Sequence, residues 1–107
     1  MQVTVSSRHT EVTPPLRTYA EQKAEKLTKY YDRIRDIEVV VDSSKGTMSV
    51  EMIVHDEHQQ KFLAHCQDAD AYAAVDLCIG KLERQLSEYK KKMRNRKHLA
   101  EDKHEMA

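Results

Sequence analysis

The segment best suited to binding chemistry is a run of basic residues near the C-terminus. Residues 81–98 hold 8 Lys/Arg and 2 Asp/Glu, whereas residues 1–80 hold 9 Lys/Arg and 13 Asp/Glu. The chain is formally neutral, with 18 basic and 18 acidic residues, but its positive charge is concentrated. A distant acidic surface cancels little of this potential beyond a Debye length of roughly 8 Å. The pattern favours contact with a phosphate backbone, and a solvated helix end is the plain alternative. The basic residues are Lys81, Arg84, Lys90, Lys91, Lys92, Arg94, Arg96 and Lys97.

A second, weaker basic group lies in the first third of the chain. Glu21 and Glu25 are interleaved with it, so an ordinary ion-paired helix surface is the alternative interpretation. If two helices lie on one face of a sheet, the polar ridges of both together form a broad positive groove. The residues of this group are Arg8, Arg17, Lys23, Lys26 and Lys29.

Other kinds of chemistry find little support in the sequence. Residues 55–58 read His-Asp-Glu-His, but adjacent ligands in a turn rarely point at one ion, so a solvated turn is favoured over a metal site. Ser6 and Ser7 lack the glycine-framed turn and the partner acid of a nucleophile. With only 2 glycines the chain has no phosphate-cradling loop. We expect no metal, no cofactor and no enzymatic activity.

The remaining polar and sulfur-containing residues set the cellular context. Cys66 and Cys78 are too few for a disulfide framework and are interpreted as buried thiols in a reducing compartment. No apolar run long enough to span a membrane and no secretory signal are visible, so we expect a cytoplasmic protein without membrane contact. Most tyrosines fall at helical core spacing, with the hydroxyl at the rim, and Tyr30 is the one candidate for base stacking.

These residues must be positioned by regular elements, of which the first two are a strand and a helix. Apolar and polar residues alternate over residues 2–8, which predicts a strand. Thr13 followed by two prolines predicts the start of a helix. Apolar residues then recur every three or four positions from Leu16 to Ile34, which predicts about five turns ending near residues 31–33.

The second half predicts three strands and a second helix. Strands over residues 37–41, 48–54 and 62–66 are joined by short turns and should form an antiparallel meander. Asp68 or Asp70 caps a helix whose apolar face runs from Tyr72 to Met93. Gly80 inside this helix suggests close packing against a neighbouring element.

The element order β-α-β-β-β-α predicts an α+β fold in which a four-stranded sheet carries both helices on one face. With 107 residues the chain corresponds to one domain. We assign residues 1–98 to this single domain and expect residues 99–107 to be a disordered acidic tail.

Several segments resemble the ribosome hibernation-promoting factors, also called ribosome-associated translation inhibitors. The matching residues are 8–13 (RHTEVT), 30–34 (YYDRI), 70–76 (DAYAAVD) and 81–86 (KLERQL). Their combination and mutual spacing are specific, and the resemblance extends over residues 1–98. The strand and helix order of that family agrees with the order predicted from the residues alone.

The resemblance implies a non-catalytic protein that binds the small ribosomal subunit in the channel for messenger and transfer RNA. Such a protein promotes ribosome hibernation in starved or stationary-phase cells. The implied partners are ribosomal RNA and whole ribosomes, without a small-molecule substrate, and we expect the free protein to be a monomer. The chain is similar to the short form of the family, and its acidic tail favours the form that permits ribosome pairing. The implied RNA-contacting residues are Arg8, Lys23, Lys26, Lys81, Arg84, Lys90, Lys91 and Lys92.

Two other functions remain open from the residues. A sheet with two helices on one face and a basic second helix also describes a free double-stranded RNA-binding module. A regulator that acts by binding another protein is the third interpretation. It requires an acidic partner in place of phosphate.

Overall fold

Four strands form one sheet in which chain neighbours are also spatial neighbours. The computed structural model describes the backbone of residues 1–106 and the side chains of residues 1–95. The strands are β1 (Gln2–Arg8), β2 (Ile34–Ser44), β3 (Thr47–Asp56) and β4 (Lys61–Asp68). β2, β3 and β4 pair antiparallel, which confirms the predicted meander. β1 pairs in parallel with β2, because the chain crosses over through a helix between these two strands.

The first helix, α1 (Pro14–Glu25), begins as the sequence predicts. The hydroxyl of Thr13 accepts a hydrogen bond from the amide of Leu16 at 3.3 Å. Proline occupies the first helical positions, where the amide has no partner within the helix. The cap and the prolines therefore fix where α1 starts.

The predicted end of α1 near residues 31–33 is wrong. The α-helix stops at Glu25 and tightens into a 3-10 turn, Lys26–Lys29. The hydroxyl of Thr28 donates to the carbonyl of Glu25 at 2.8 Å, an acceptor that a continuing α-helix gives to the amide of residue 29. Tyr31 and Ile34 are buried as their spacing predicts, but Ile34 already begins β2.

The second helix, α2 (Ala71–Met106), is capped by Asp70. The Asp70 carboxylate accepts from the amide of Tyr72 at 3.0 Å, and its carbonyl accepts from Ala74 at 3.1 Å. The close packing expected at Gly80 is wrong. Gly80 is exposed, and a Cβ added there meets no atom within 4 Å. This glycine lies on the solvent side of the helix.

Both helices cover one face of the sheet, which confirms the predicted α+β architecture. Every second residue of each strand points into a single apolar core, as strand geometry requires. The other sheet face carries the alternate residues and is open to solvent. Central core residues are Leu27, Ile37, Val39, Met52, Leu82 and Leu86.

The predicted tail over residues 99–107 lies beyond the residues whose side chains the structure describes. The domain boundary at residue 98 likewise stays a prediction.

Candidate RNA-binding surface

Helix α2 carries basic residues that have no partner among the side chains of residues 1–95. Arg84, Lys90, Lys91 and Lys92 are exposed, and none makes an ion pair or hydrogen bond within residues 1–95. An α-helix rises 1.5 Å per residue, so Arg84 and Lys92 are separated by about 12 Å along the axis. We call these four residues the basic stripe.

Lys81, the first predicted contact on α2, is turned toward the sheet. Its Nζ donates to the carbonyl of His65 in β4 at 3.4 Å. One turn later, Gln85 Nε2 donates to the carbonyl of Leu63 at 2.9 Å. Both carbonyls lie on the outer edge of β4, which has no further strand beside it. Lys81 therefore helps to close the edge of the sheet, whether or not it also meets RNA.

The predicted contacts on α1 differ in their surroundings. Lys23 Nζ lies 3.9 Å from the Asp76 carboxylate of α2 and 5.4 Å from the centre of the Tyr19 ring. The Tyr19 hydroxyl donates to the same carboxylate at 2.6 Å, and this hydrogen bond raises the pKa of Tyr19. Lys26, by contrast, is exposed and has no such partner within residues 1–95. Lys23 is thus partly neutralised, while Lys26 is available to an anion.

Arg8 lies far from the basic stripe. It is exposed at the last position of β1, opposite Asp42, at the end of the sheet where both helices begin. A hydrogen bond from His9 at 3.0 Å holds the pKa of Asp42 below its ordinary value. Lys90 lies instead at the opposite end, which we call the far end. The predicted residues therefore do not meet at one point but extend along the length of the domain.

The far end contains a cleft that sequence reasoning missed. It has a volume of about 210 Å³ and lies between α2, the segment just before β2 and the turn from β3 to β4. The sequence analysis noted Lys90 and His58 separately, but only the fold brings them together in one cleft. Its lining residues are Tyr31, Asp32, Arg33, His58, Tyr89, Lys90 and Met93.

The turn weighed as a metal site has a different role at Asp56. The Asp56 carboxylate is fully buried and accepts hydrogen bonds from the Tyr31 hydroxyl at 2.8 Å and from the amides of His58 and Gln60 at 2.9 and 2.7 Å. Burial, and then this hydrogen bond, raise the pKa of Tyr31 strongly. Asp56 is therefore not a solvated turn residue, and the Tyr31 hydroxyl is not at the rim, contrary to expectation. Within residues 1–95 no three potential ligands are placed to hold an ion.

The two cysteines are buried and free, as predicted. The Cys78 thiol donates to the carbonyl of Val50 at 3.1 Å, and burial raises its pKa to about 12. A thiol with such a pKa stays protonated at neutral pH and is a poor nucleophile. Among the described helices, none combines the length and apolar character needed to cross a membrane.

Known proteins of one family are similar in sequence to this chain. The family model described as "Sigma 54 modulation protein / S30EA ribosomal protein" matches residues 3–94. The ribosome hibernation promoting factor of Azotobacter vinelandii is 36% identical over 92 residues, which are 86% of this chain and 85% of that protein. The protein of the same name from Escherichia coli (strain K12) is 34% identical over 94 residues, or 88% of this chain and 98% of its own.

Solved structures share the fold. A ribosomal subunit interface protein from Coxiella burnetii superposes with a TM-score of 0.78 at 29% identity, over 84% of this chain and 98% of that one. The N-terminal domain of Thermus thermophilus Protein Y gives a TM-score of 0.75 at 27% identity, over 83% and 99%. The resemblance found in the sequence motifs is thereby confirmed. The chain belongs to the family of sigma 54 modulation proteins and S30EA ribosomal proteins, together with the ribosome hibernation promoting factors.

Proposed function

We propose that this protein binds the ribosome and inhibits translation, acting as a ribosome hibernation factor. The observation that carries the proposal is the similarity, over most of the chain, to relatives named ribosome hibernation promoting factor. The mode of binding is argued from the basic stripe. Its four cations have no partner within residues 1–95, so no acid of that part of the chain competes with phosphate groups for them.

The binding site on the ribosome is the channel of the small subunit that messenger and transfer RNA otherwise occupy. Each lysine or arginine that neutralises a phosphate releases a condensed counterion, which makes the affinity high at low salt and steeply salt-dependent. Inhibition then follows from occupancy alone and needs no chemical step, cofactor or small-molecule substrate. In this proposal the free protein is a cytoplasmic monomer that acts in starved or stationary-phase cells and permits ribosome pairing.

The test is co-sedimentation with small subunits and whole ribosomes on sucrose gradients, with naked duplex RNA as competitor. Wild-type protein should migrate with small subunits and whole ribosomes despite the competitor, and it should inhibit translation in vitro. The variant Lys91→Glu should bind at least tenfold more weakly, because one contact is lost and one repulsion is added. Lys45→Glu, which makes the same charge change in the turn between β2 and β3, is the matched control and should bind normally.

Two results would contradict the proposal. Equal binding of Lys91→Glu and wild type would show that the basic stripe does not contact the ribosome. Transfer of the protein to the naked duplex would favour a free double-stranded RNA-binding module. A heavier peak containing two ribosomes would support the pairing-permissive form.

A further inference from the structure

We propose that the far-end cleft receives one unpaired RNA base while the cations beside it hold the adjoining phosphate. This inference rests on the proposed function and names the feature of the RNA that the domain would recognise. A base in a duplex is stacked and paired, so only an unstacked nucleotide can enter such a site.

The cleft exists because the apolar face of α2 continues past the edge of the core. Tyr89 packs edge-on against Tyr31 and Phe62, with ring centres 5.6 and 5.1 Å apart. One turn further, Met93 lies on the same side of the helix and is 45% exposed. The fixed Tyr89 ring and the uncovered Met93 side chain leave an apolar wall open to solvent.

The wall has the size and character that a planar ring requires. The cleft has a volume of about 210 Å³ and adjoins a depression of about 500 Å³ that shares three of its lining residues, so the two together have room for a base and its sugar-phosphate. Thioether side chains make favourable contacts with aromatic rings, and base stacking tolerates different sequences because every base has a π-face. A bare phosphate would make no use of an apolar wall.

Polar groups around the wall match the rest of a nucleotide. Lys90 contributes to the cleft, and Lys92 lines an adjoining depression that shares His58, Tyr89 and Met93 with it. Neither lysine has an ion-pair partner within residues 1–95. The Asp32 carboxylate can accept from an exocyclic amino group of a base. Cation, apolar wall and acceptor thus converge within one small site.

The experiment measures binding of two RNA probes by amide NMR titration. One probe is a single-stranded hexaadenylate, and the other is an abasic ribose-phosphate hexamer with the same number of phosphates. The wild-type protein should bind hexaadenylate about 5- to 150-fold more tightly, the range expected for stacking of one base. The amides that shift should be those of residues 31–33, 58 and 89–93.

Two variants separate the wall from general effects on α2. Met93→Ala keeps the charge and should lower the affinity for hexaadenylate to that for the abasic probe, leaving the latter unchanged. Leu77→Ala is the matched control, because Leu77 is 48% exposed on the same helix but lies beside the edge of β4. It should behave like wild type.

The outcomes distinguish this inference from the proposed function. Equal wild-type affinity for the two probes, or an equal loss for both in Met93→Ala, overturns the base-binding cleft. If small subunits still bind the wild type in that case, the proposed function stands without it. Failure of the wild type to bind subunits, together with a preference for hexaadenylate, overturns the proposed function but supports the cleft as a single-strand site.

Discussion

Asp56 is the single residue that organises the far end of the molecule. It is fully buried, and its carboxylate accepts from the Tyr31 hydroxyl and from two amides of the following turn. Hydrogen bonds to a charged acceptor contribute about 1.5–3 kcal/mol each, and donors left buried without a partner cost further stability. The turn that carries His58 is therefore held in place by this carboxylate, together with a backbone hydrogen bond from the Asp56 amide to the Gln60 carbonyl at 3.1 Å.

Replacing Asp56 should destabilise the fold more than any surface change. Asp56→Ala should lower the free energy of unfolding by about 3–5 kcal/mol, because it leaves three donors without their acceptor. Urea denaturation followed by circular dichroism measures this. Asp32→Ala, an exposed acid, is the control and should change stability by less than about 0.5 kcal/mol. A small effect of Asp56→Ala would mean that solvent replaces the carboxylate.

Gly80 offers the opposite case, a residue whose replacement should stabilise. Its position is exposed and helical, and an added Cβ meets no atom within 4 Å. Gly80→Ala should raise the free energy of unfolding by about 0.5–1 kcal/mol, because alanine loses less conformational entropy in a helix. Thermal unfolding would show a higher midpoint. A lower midpoint would instead support the close packing at Gly80 that the sequence suggested.

Cys78 should make the protein less stable as the pH rises in the alkaline range. Burial raises its pKa from 9.0 to about 12, so the folded protein keeps a proton that the unfolded chain releases above pH 9. The unfolded state then binds fewer protons, and stability falls as the pH rises from 9 to 12. Denaturation at several pH values measures this. Over this range the free energy of unfolding of Cys78→Ala should fall less steeply than that of wild type, by up to about 1.4 kcal/mol per pH unit. Parallel curves would show that the thiol ionises equally in both states.

At the scale of elements, side chains from the helices protect both edges of the sheet. Arg17 of α1 donates to the carbonyl of Val5 in β1 at 2.9 Å, and Lys81 and Gln85 of α2 donate to carbonyls of β4. Unpaired strand edges are templates for pairing with another chain. These three hydrogen bonds therefore oppose edge-to-edge association.

Removing the protection of β4 should promote self-association. The double variant Lys81→Ala/Gln85→Ala frees the carbonyls of Leu63 and His65, and it should form dimers or larger species at concentrations where wild type does not. Size-exclusion chromatography with light scattering measures the mass. Arg84→Ala/Glu88→Ala, on the exposed side of the same helix, should match wild type. An unchanged mass for the first variant would show that the edge is blocked by other means.

Helices and strands were predictable where the apolar pattern of a short segment is clear, and the start of a helix was predictable where a capping residue precedes it. Strand alternation and the caps at Thr13 and Asp70 are written in short stretches of sequence. The end of α1 was missed because apolar spacing continues through Tyr31 to Ile34, although the backbone changes from helix to strand. The burial of Tyr31 and Ile34 was predicted correctly, but the helix predicted to carry them was not.

The candidate site shows the same division. The cations of α2 were visible as a run of charge, but partners distant in sequence were not. Asp76 beside Lys23 and the His65 carbonyl beside Lys81 become apparent only in the fold. The far-end cleft joins residues from three separate segments, so no single stretch of sequence could indicate it.

For the whole molecule, the arrangement of charge matters more than its sum. The chain has 18 basic and 18 acidic residues, yet its basic stripe lies on one helix. Because potentials from distant acids are screened at physiological salt, a polyanion responds to the stripe and not to the net charge. The neutral net charge therefore does not prevent this protein from binding RNA.

Binding should accordingly depend steeply on salt. If the four cations of the basic stripe each neutralise one phosphate, the logarithm of the affinity should fall with a slope of about −3 to −4 against the logarithm of salt concentration. Raising salt from 50 to 200 mM would weaken binding to small subunits about 100-fold. Lys92→Ala should reduce the slope by about 1, whereas Lys45→Ala should leave it unchanged. A flat dependence would exclude phosphate contacts as the main source of affinity.

The parallel pairing of β1 with β2 also constrains the order in which the protein folds. The β2-β3 and β3-β4 hairpins join residues close in sequence, whereas β1 reaches its partner only across the whole of α1. Loop closure over that distance costs entropy, so local hairpins have the kinetic advantage. During synthesis β1 emerges first from the ribosome but has no strand to join until β2 follows. Although β1 is synthesised before β2, it is thus among the last strands to pair.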